Sequence, residues 1–414
     1  MDTDEFRRRG HALIDRIADY WDGIEDRPVC SKARPGEIIA ALPAQAPEGP
    51  EGFDKILADF DSILDPGLTN WAHPRFFAYF PANINPPAVL GEVLAAGLGQ
   101  QAMLWETSPA ANELEAVTMA WLGKAIDLPE GFEGTIQDSA STATLCALLA
   151  AREKALQWSG NTDGLSEKPS MMVYASFEAH SSIDKAGRIA GYGDAGLRHV
   201  PTDSDFRMKP DALEDMINED RAAARLPTAI VASIGATGIG AVDPVREIAA
   251  VAARHDIYLH VDAAWAGSAL VCPEFQHLSD GVEGADSLVF NPHKWMGVNF
   301  DCSAHFVKDP QILRKALSIL PAYLVSEGSG AGPEYRDWTI PLGRRFRALK
   351  LWFALRNIGL EAIRGKIRNH VAWAEEFEGL VTAEPDFAPA APRGLAFVVF
   401  RFAPAGVDGD ALDA

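Results

Sequence analysis

Apolar residues at Phe6, Leu13, Ile14, Ile17 and Ala18 recur at helical spacing and predict a helix over residues 6–20. A proline-rich stretch without clear period follows over residues 27–52 and reads as an extended arm rather than a compact unit. Over residues 88–128 the apolar content predicts two long helices. The second opens with Ser108 as cap, Pro109 at the first helical position, and Glu113 and Glu115 in the first turns. From about Gly134 the pattern alternates. Residues 141–158 read as a helix. Residues 171–176, 229–234, 257–261 and 287–291 are short apolar runs of the kind that form buried strands. Residues 211–217 and 244–254 read as helices between them, the latter capped by Asp243. Strands alternating with helices predict an α/β fold with a mostly parallel sheet covered on both faces. Ligands on such sheets sit at the carboxyl ends of the strands. Residues 326–333 (SEGSGAGP) read as a mobile Gly-rich loop. Another long helical region begins beyond Arg344, and residues 395–402 read as a strand.

Composition narrows the function classes. The 414 residues are 48% hydrophobic and 23% charged, with a net charge of −21. That balance repels phosphate backbones and anionic bilayers, so neither nucleic acid nor a membrane surface is an expected partner. No apolar run reaches 18 residues. The best candidate, residues 88–104, contains Glu92 and two glutamines. The N-terminus lacks the apolar stretch of a secretory signal. Four cysteines without CxxC spacing imply neither a disulfide framework nor a zinc ribbon, and fit a reducing, cytoplasmic setting.

Four segments carry candidate chemistry, each at a predicted strand end or helix start. Lys294 follows the strand SLVF in NPHKW. A lysine there either snorkels to solvent or, partly desolvated, becomes the nucleophilic amine that Schiff-base chemistry needs. Asp262, in HVDAAW, either caps a turn or stands as a buried carboxylate facing a cation such as a protonated pyridine nitrogen. Ser139, Ala140 and Ser141 open a helix; they are either an ordinary cap or a phosphate site. His180 begins another helix and is either a structural histidine or a ring that stacks on an aromatic ligand. Gly191 to Gly196 matches GxGxxG but follows a helix rather than a strand, so it fails the context of a dinucleotide site. No metal-ligand spacing is present among the histidines. A lysine for an aldehyde, a carboxylate for a ring nitrogen, a helix start for a phosphate and a ring to stack together describe a pyridoxal 5′-phosphate site.

Longer motifs support that reading. The segments NPHKWMGVNFDCSAHFVKD, HVDAAWAGSALVCPEF, IQDSASTATLCALLAARE, EAHSSIDKAGRIAG, HPRFFAYFPAN and IPLGRRFRALKLWF resemble the group II pyridoxal-phosphate-dependent decarboxylases. The resemblance is strongest to the aromatic-L-amino-acid branch and runs from about Phe6 to Phe402. It implies a fold type I, PLP-dependent transferase-like architecture. The implied layout is an N-terminal helical dimerisation segment at 1–85, a large cofactor-binding domain at 86–345 and a small C-terminal domain at 346–414. Lys294 would bond the cofactor aldehyde, Asp262 would pair with the pyridine nitrogen and His180 would stack on the ring. Ser139, Ala140, Ser141 and Asn291 would hold the phosphate. Thr237 and Ala264 would line the ring, and His293 would sit beside the lysine. Tyr323 matches the tyrosine that protonates the substrate α-carbon. Trp71, Tyr79, Phe80, Pro81, Ala82, Gln101 and Met103 resemble the wall of the substrate pocket, part of it supplied by the second subunit of a homodimer.

Some positions depart from the family pattern. Ala82 stands where dopa decarboxylases carry threonine. Gln101 and Met103 replace apolar and aromatic residues. Gly343 occupies a position that is serine in tyrosine-selective plant members, and leaves space for an indole. The resemblance therefore implies decarboxylation of tryptophan ahead of phenylalanine and tyrosine. An aldehyde synthase, a decarboxylase of acidic amino acids and an inactive dimerising chain are the alternatives. Family members continue past GLAFVVFRF, so the small C-terminal domain is expected to be incomplete.

Overall fold

Every position of MMVYAS is buried, so both faces of that strand are covered. Seven strands build the central sheet: β1 (Glu133–Gln137), β2 (Met171–Ser176), β3 (Leu197–Val200), β4 (Leu226–Ser233), β5 (Tyr258–Asp262), β6 (Ser287–Phe290) and β7 (Ser303–Val307). Their spatial order is β1-β7-β6-β5-β4-β2-β3. The pairs β3–β2, β2–β4, β4–β5 and β5–β6 are parallel; β7 is antiparallel to both β6 and β1. Six strands therefore point one way and β7 alone points the other. The computed structural model describes residues 1–80, 84–319 and 332–407.

The chain divides into two compact units, Met1–Asn83 and Ile84–Ala414. The first holds α1 (Thr3–Asp22), α2 (Glu37–Ala41) and α3 (Phe53–Asp59). Asp2 caps α1 by accepting the Glu5 N–H at 2.8 Å. The segment expected to be an extended arm instead carries α2. Asn70 Nδ2 ties it down by donating to the Pro28 carbonyl at 2.7 Å, and the Asn70 N–H donates to the Val29 carbonyl.

The second unit adds α4 (Pro86–Leu98), α5 (Pro109–Ala125), α6 (Ala140–Ala155), α7 (Ser159–Asp163), α8 (Ser182–Ile189), α9 (Pro210–Ala222), α10 (Val245–His255), α11 (Pro310–Leu317) and α12 (Arg347–Ala383), then the hairpin β8 (Phe387–Pro389) and β9 (Phe400–Phe402). Helix α6 crosses β1, β4, β5, β6 and β7, while α9 and α10 pack on β4 and its neighbours. Helix α12 lies against α4 and α5 and breaks its regular backbone at Gly359, where φ is +78°.

Three further expectations need correction. Asp243 does not cap α10. Its carboxylate is buried and accepts the Met208 N–H at 2.7 Å and the Ser233 N–H at 2.8 Å, and burial raises its pKa to about 6. Ser108 occupies the cap position of α5, but its hydroxyl donates to Gln100 Oε1 rather than bonding the helix. The strand expected at 395–402 is only Phe400–Phe402, because Gly394 and Phe397 close a tight turn first.

One buried ion pair joins distant segments of the second unit. Arg344 holds both carboxylate oxygens of Glu115 at 2.7 and 3.1 Å, and also donates to the carbonyls of Ala102 and Ile136. Both side chains are buried. Replacing Arg344 with leucine is expected to cost roughly 3–5 kcal/mol in urea unfolding, because Glu115 is left charged and unpaired. Adding Glu115→Gln to that variant should recover much of the loss. A loss below about 1 kcal/mol would show that the pair does not anchor this region.

Candidate active site

The carboxyl ends of β4, β5 and β6 lie level, with Ser233 beside Asp262 and Asp262 beside Val289. Strands β1 and β2 run the same way, so the segments following β1, β2, β4, β5 and β6 all emerge on one side of the sheet. Those segments are the ones that carry Ser139–Ser141, His180, Thr237, Ala264 and Asn291–Lys294. This is the edge where open α/β sheets bind ligands.

Asp262 ends β5 and is only 7% exposed. Its Oδ1 accepts the Ala264 N–H at 3.0 Å. Burial raises its pKa; Lys294, the Ala264 N–H and His180 oppose the rise without cancelling it. Lys294 shows the complementary effect. Burial lowers the pKa of its amine, and the charge of Asp262 opposes the fall. The same electrostatic field thus links Asp262, Lys294 and His180. A carboxylate still short of cationic compensation suits a protonated ring nitrogen. A desolvated amine suits attack on an aldehyde.

The phosphate end is built by the start of α6. Ser139 caps the helix, its Oγ accepting the Thr142 N–H at 3.2 Å. The N–H groups of Ala140 and Ser141 precede the first intrahelical donor, the Ala143 N–H bonded to the Ser139 carbonyl, and are open to an anion. Ala140, Ala143 and Val289 form a small apolar cluster with Ala264 against it, which seats this helix start over β6 and the loop after β5. Asn291 is buried at the end of β6, where its Oδ1 accepts the Ser303 hydroxyl at 2.6 Å, so its amide N–H groups face the other way. The residue types present fit pyridoxal phosphate at both ends.

Two histidines act on the Asp262–Lys294 pair, His180 through Asp262 and His293 beside Lys294. His180 is exposed, and its Nδ1 accepts the Ser182 N–H at 3.1 Å with the Ser182 hydroxyl at 2.7 Å. His293 is buried, and its Nδ1 accepts the Cys302 N–H at 3.0 Å, which assigns the ring proton to Nε2. The Phe300 ring covers it at 4.6 Å. Burial and the neighbouring Lys294 lower its pKa to about 4. The unfolded chain therefore binds a proton that the folded chain does not between about pH 6.5 and 4, and this histidine's share of stability is lost as pH falls through that window. NMR of ¹⁵N-labelled protein should show a neutral, Nε2-protonated His293 at pH 6. A midpoint near 6.5 would contradict its burial.

Trp265 steadies the loops around the lysine. Its indole donates to the Gly235 carbonyl at 2.7 Å, and its ring lies 5.4 Å from Trp295, the residue after Lys294. Gly235 has φ +83°, and a Cβ there would meet the Trp265 indole nitrogen at 2.7 Å, so only glycine fits. The turn holding Thr237 follows directly.

The candidate substrate-wall residues fall in both units. In the first, Trp71 stacks on Tyr79 at 5.8 Å and lies 5.0 Å from Phe76; Phe80 is partly buried. In the second, Gln101 and Gly343 share a cavity of about 360 Å³ beside the end of α4. A Cβ on Gly343 would lie 3.6 Å from Gln101 Oε1. The Met103 carbonyl accepts the Arg336 N–H at 3.0 Å. Pro81, Ala82 and Tyr323 lie outside the described residues. The sequence reading missed the Glu115–Arg344 pair that holds Gly343 in place and the Trp265 clasp. The apolar neighbours of Trp265 were visible, but its contact with Gly235 spans two loops.

The family model for the pyridoxal-dependent decarboxylase conserved domain matches residues 35–403. Aromatic-L-amino-acid decarboxylase of Sus scrofa is 44% identical over 99% of this chain and 86% of its own length. Phenylacetaldehyde synthase of Arabidopsis thaliana is also 44% identical, over 98% of this chain and 84% of its own. The crystal structure of Oryza sativa TDC with PLP and tryptamine superposes with a TM-score of 0.95 at 37% identity, over 99% of this chain and 86% of that one.

Proposed function

The chain belongs to the pyridoxal-dependent decarboxylase family, and from that premise we propose that it converts an aromatic L-amino acid, tryptophan before phenylalanine and tyrosine, to the arylalkylamine and carbon dioxide. As a member of the aromatic branch it is a carboxy-lyase that works with pyridoxal phosphate. The observation that carries the site assignment is the pairing of a desolvated Lys294 with a buried Asp262 beside the open N–H groups of α6. When bound, the cofactor supplies an aldehyde for the substrate amine and a ring that accepts the electron pair left as carbon dioxide departs.

The chain's own residues do the rest. Lys294 would supply the amine that holds the cofactor aldehyde, and would carry a proton close to the reacting atoms. Asp262 would pair with the ring nitrogen and hold a proton there. Ala140, Ser141 and Asn291 would hold the phosphate with N–H donors, and Ser139 fixes the helix start. His180 would stack on the cofactor ring, and Thr237 and Ala264 would line it. His293 stays neutral and presents an Nε2–H donor beside the lysine. By resemblance, Tyr323 returns the proton that makes the product an amine rather than an aldehyde.

Preference for tryptophan draws on the space at Gly343, and on the similarity to a TDC crystallised with tryptamine. We place the protein in the cytoplasm as a homodimer with the site at the subunit interface. Among the described residues no helix is long and apolar enough to cross a membrane, and the four cysteines are free. Leu90, Val93, Leu94 and Leu98 leave a half-exposed apolar row along α4, which suits an interface. Turnover should be measured for tryptophan, phenylalanine, tyrosine and dopa, with products identified by mass. The expected order puts tryptophan first and gives amine throughout. A clear dopa preference would overturn the reading of Ala82, and aldehyde with hydrogen peroxide would favour the synthase activity named for the Arabidopsis relative.

A further inference from the structure

If one bound molecule is to touch both Asp262 and the start of α6, those two groups must keep a fixed separation. His260 links the two elements that carry them, β5 and α6. It precedes Asp262 by two residues and so lies on the same face of β5. Its ring is fully buried. Nδ1 is 2.8 Å from the hydroxyl of Ser287, its register partner on β6, and Nε2 is 3.3 Å from the hydroxyl of Thr144 on α6. Thr144 lies one helical turn beyond Ala140, so this contact grips α6 just below its open N–H groups. The edge of His305 closes the other side, with ring centroids 6.0 Å apart at 89°.

Charge chemistry is excluded for this residue. Burial, aided by His305, holds its pKa well below the usual histidine value, so the ring is neutral across the working range. A neutral imidazole has one donor and one acceptor, and a hydroxyl can complement either. Both nitrogens are thereby satisfied without net charge. The apolar cluster of Ala140, Ala143 and Val289 packs the same elements together but gives no direction. The two hydrogen bonds do.

We infer that His260 is a positioning residue whose tie to Thr144 and Ser287 sets the phosphate-holding N–H groups of Ala140 and Ser141 at the distance from Asp262 that a phosphorylated pyridoxal requires. This rests on the reading of the site given above.

The test compares dissociation constants for pyridoxal phosphate and unphosphorylated pyridoxal. The wild-type protein should prefer the phosphorylated form; absence of that preference would overturn the cofactor site itself. His260→Phe keeps a buried ring but removes both bonds, and should cut the preference about tenfold while changing pyridoxal affinity less than about twofold. Thr144→Val removes only the α6 end and should give the same drop, which keeps the test decisive if the phenylalanine variant fails to fold. His260→Gln, whose amide reaches the Nε2 position, should restore most of the preference; His260→Asn, which reaches only Nδ1, should not. An unchanged preference in Thr144→Val, or an equal loss for both ligands, overturns the inference while leaving the site reading intact.

Discussion

Lys294→Ala is expected to abolish amine formation, with a loss on the order of 10⁴-fold or more in single-turnover assays. The lysine is partly buried in the turn after β6, where desolvation lowers its pKa and Asp262 opposes the change. Alanine removes both the attacking amine and the group that carries protons at the reacting atoms. Lys294→Arg separates these functions from charge. It keeps a cation near Asp262, yet a guanidinium remains protonated and does not add to an aldehyde, so this variant should be equally inactive. Cofactor should still bind to both variants through Asp262 and the start of α6, with weaker affinity and without a covalent link. Retention of more than about one hundredth of the wild-type rate in either variant would remove Lys294 from the chemistry.

Asp262→Asn should lower turnover about a thousandfold with little change in fold. An ion pair at ~4 Å and an effective dielectric of about 20 is worth roughly 4 kcal/mol, which corresponds to that factor. Asparagine keeps the shape and can still accept the Ala264 N–H, so the lost quantity is charge. The stability effect has the opposite sign in the cofactor-free protein. Because burial raises the Asp262 pKa in the folded chain, this carboxyl favours folding while protonated, and that contribution is lost as pH rises through its folded value. The asparagine variant lacks that pH-dependent loss. Its cofactor-free form should therefore unfold no earlier than wild type at pH 7, although its holoenzyme is nearly inactive. A rate within tenfold of wild type would show that the carboxylate does not serve the ring nitrogen.

Buried parallel strands were legible because their apolar runs are barely broken: MMVYAS and SLVF carry a serine only at one end. Strands β1, β3 and β7 were not. EGTIQ, LRHV and SAHFV carry polar residues whose partners lie far away in the chain. Thr135 bonds Glu115, Gln137 bonds the Trp338 carbonyl, and the ring of His305 packs edge-on against His260. Local pattern cannot weigh a polar side chain whose partner lies 20 to 201 residues off. Asp243 misled for the same reason. Its position before a helix reads as a cap, but its oxygens serve Ser233 and Met208. The candidate site was more legible than the fold around it. Lys294, Asp262, Ser139 and His180 each stand at a strand end or helix start, and the parallel topology gathers those ends without further information. The GxGxxG match at Gly191 fell where its context said, between α8 and β3, serving a turn with positive φ at Gly191 and Gly193.

All of the proposed chemistry depends on a covalent link between pyridoxal phosphate and Lys294. Reduction of the cofactor-saturated protein with borohydride, followed by proteolysis and peptide mass mapping, reads that link directly. The pyridoxyl mass should appear on the peptide containing NPHKW, at Lys294, with close to one label per chain. A label on another lysine such as Lys350 or Lys366, or no label in saturated protein, would contradict it.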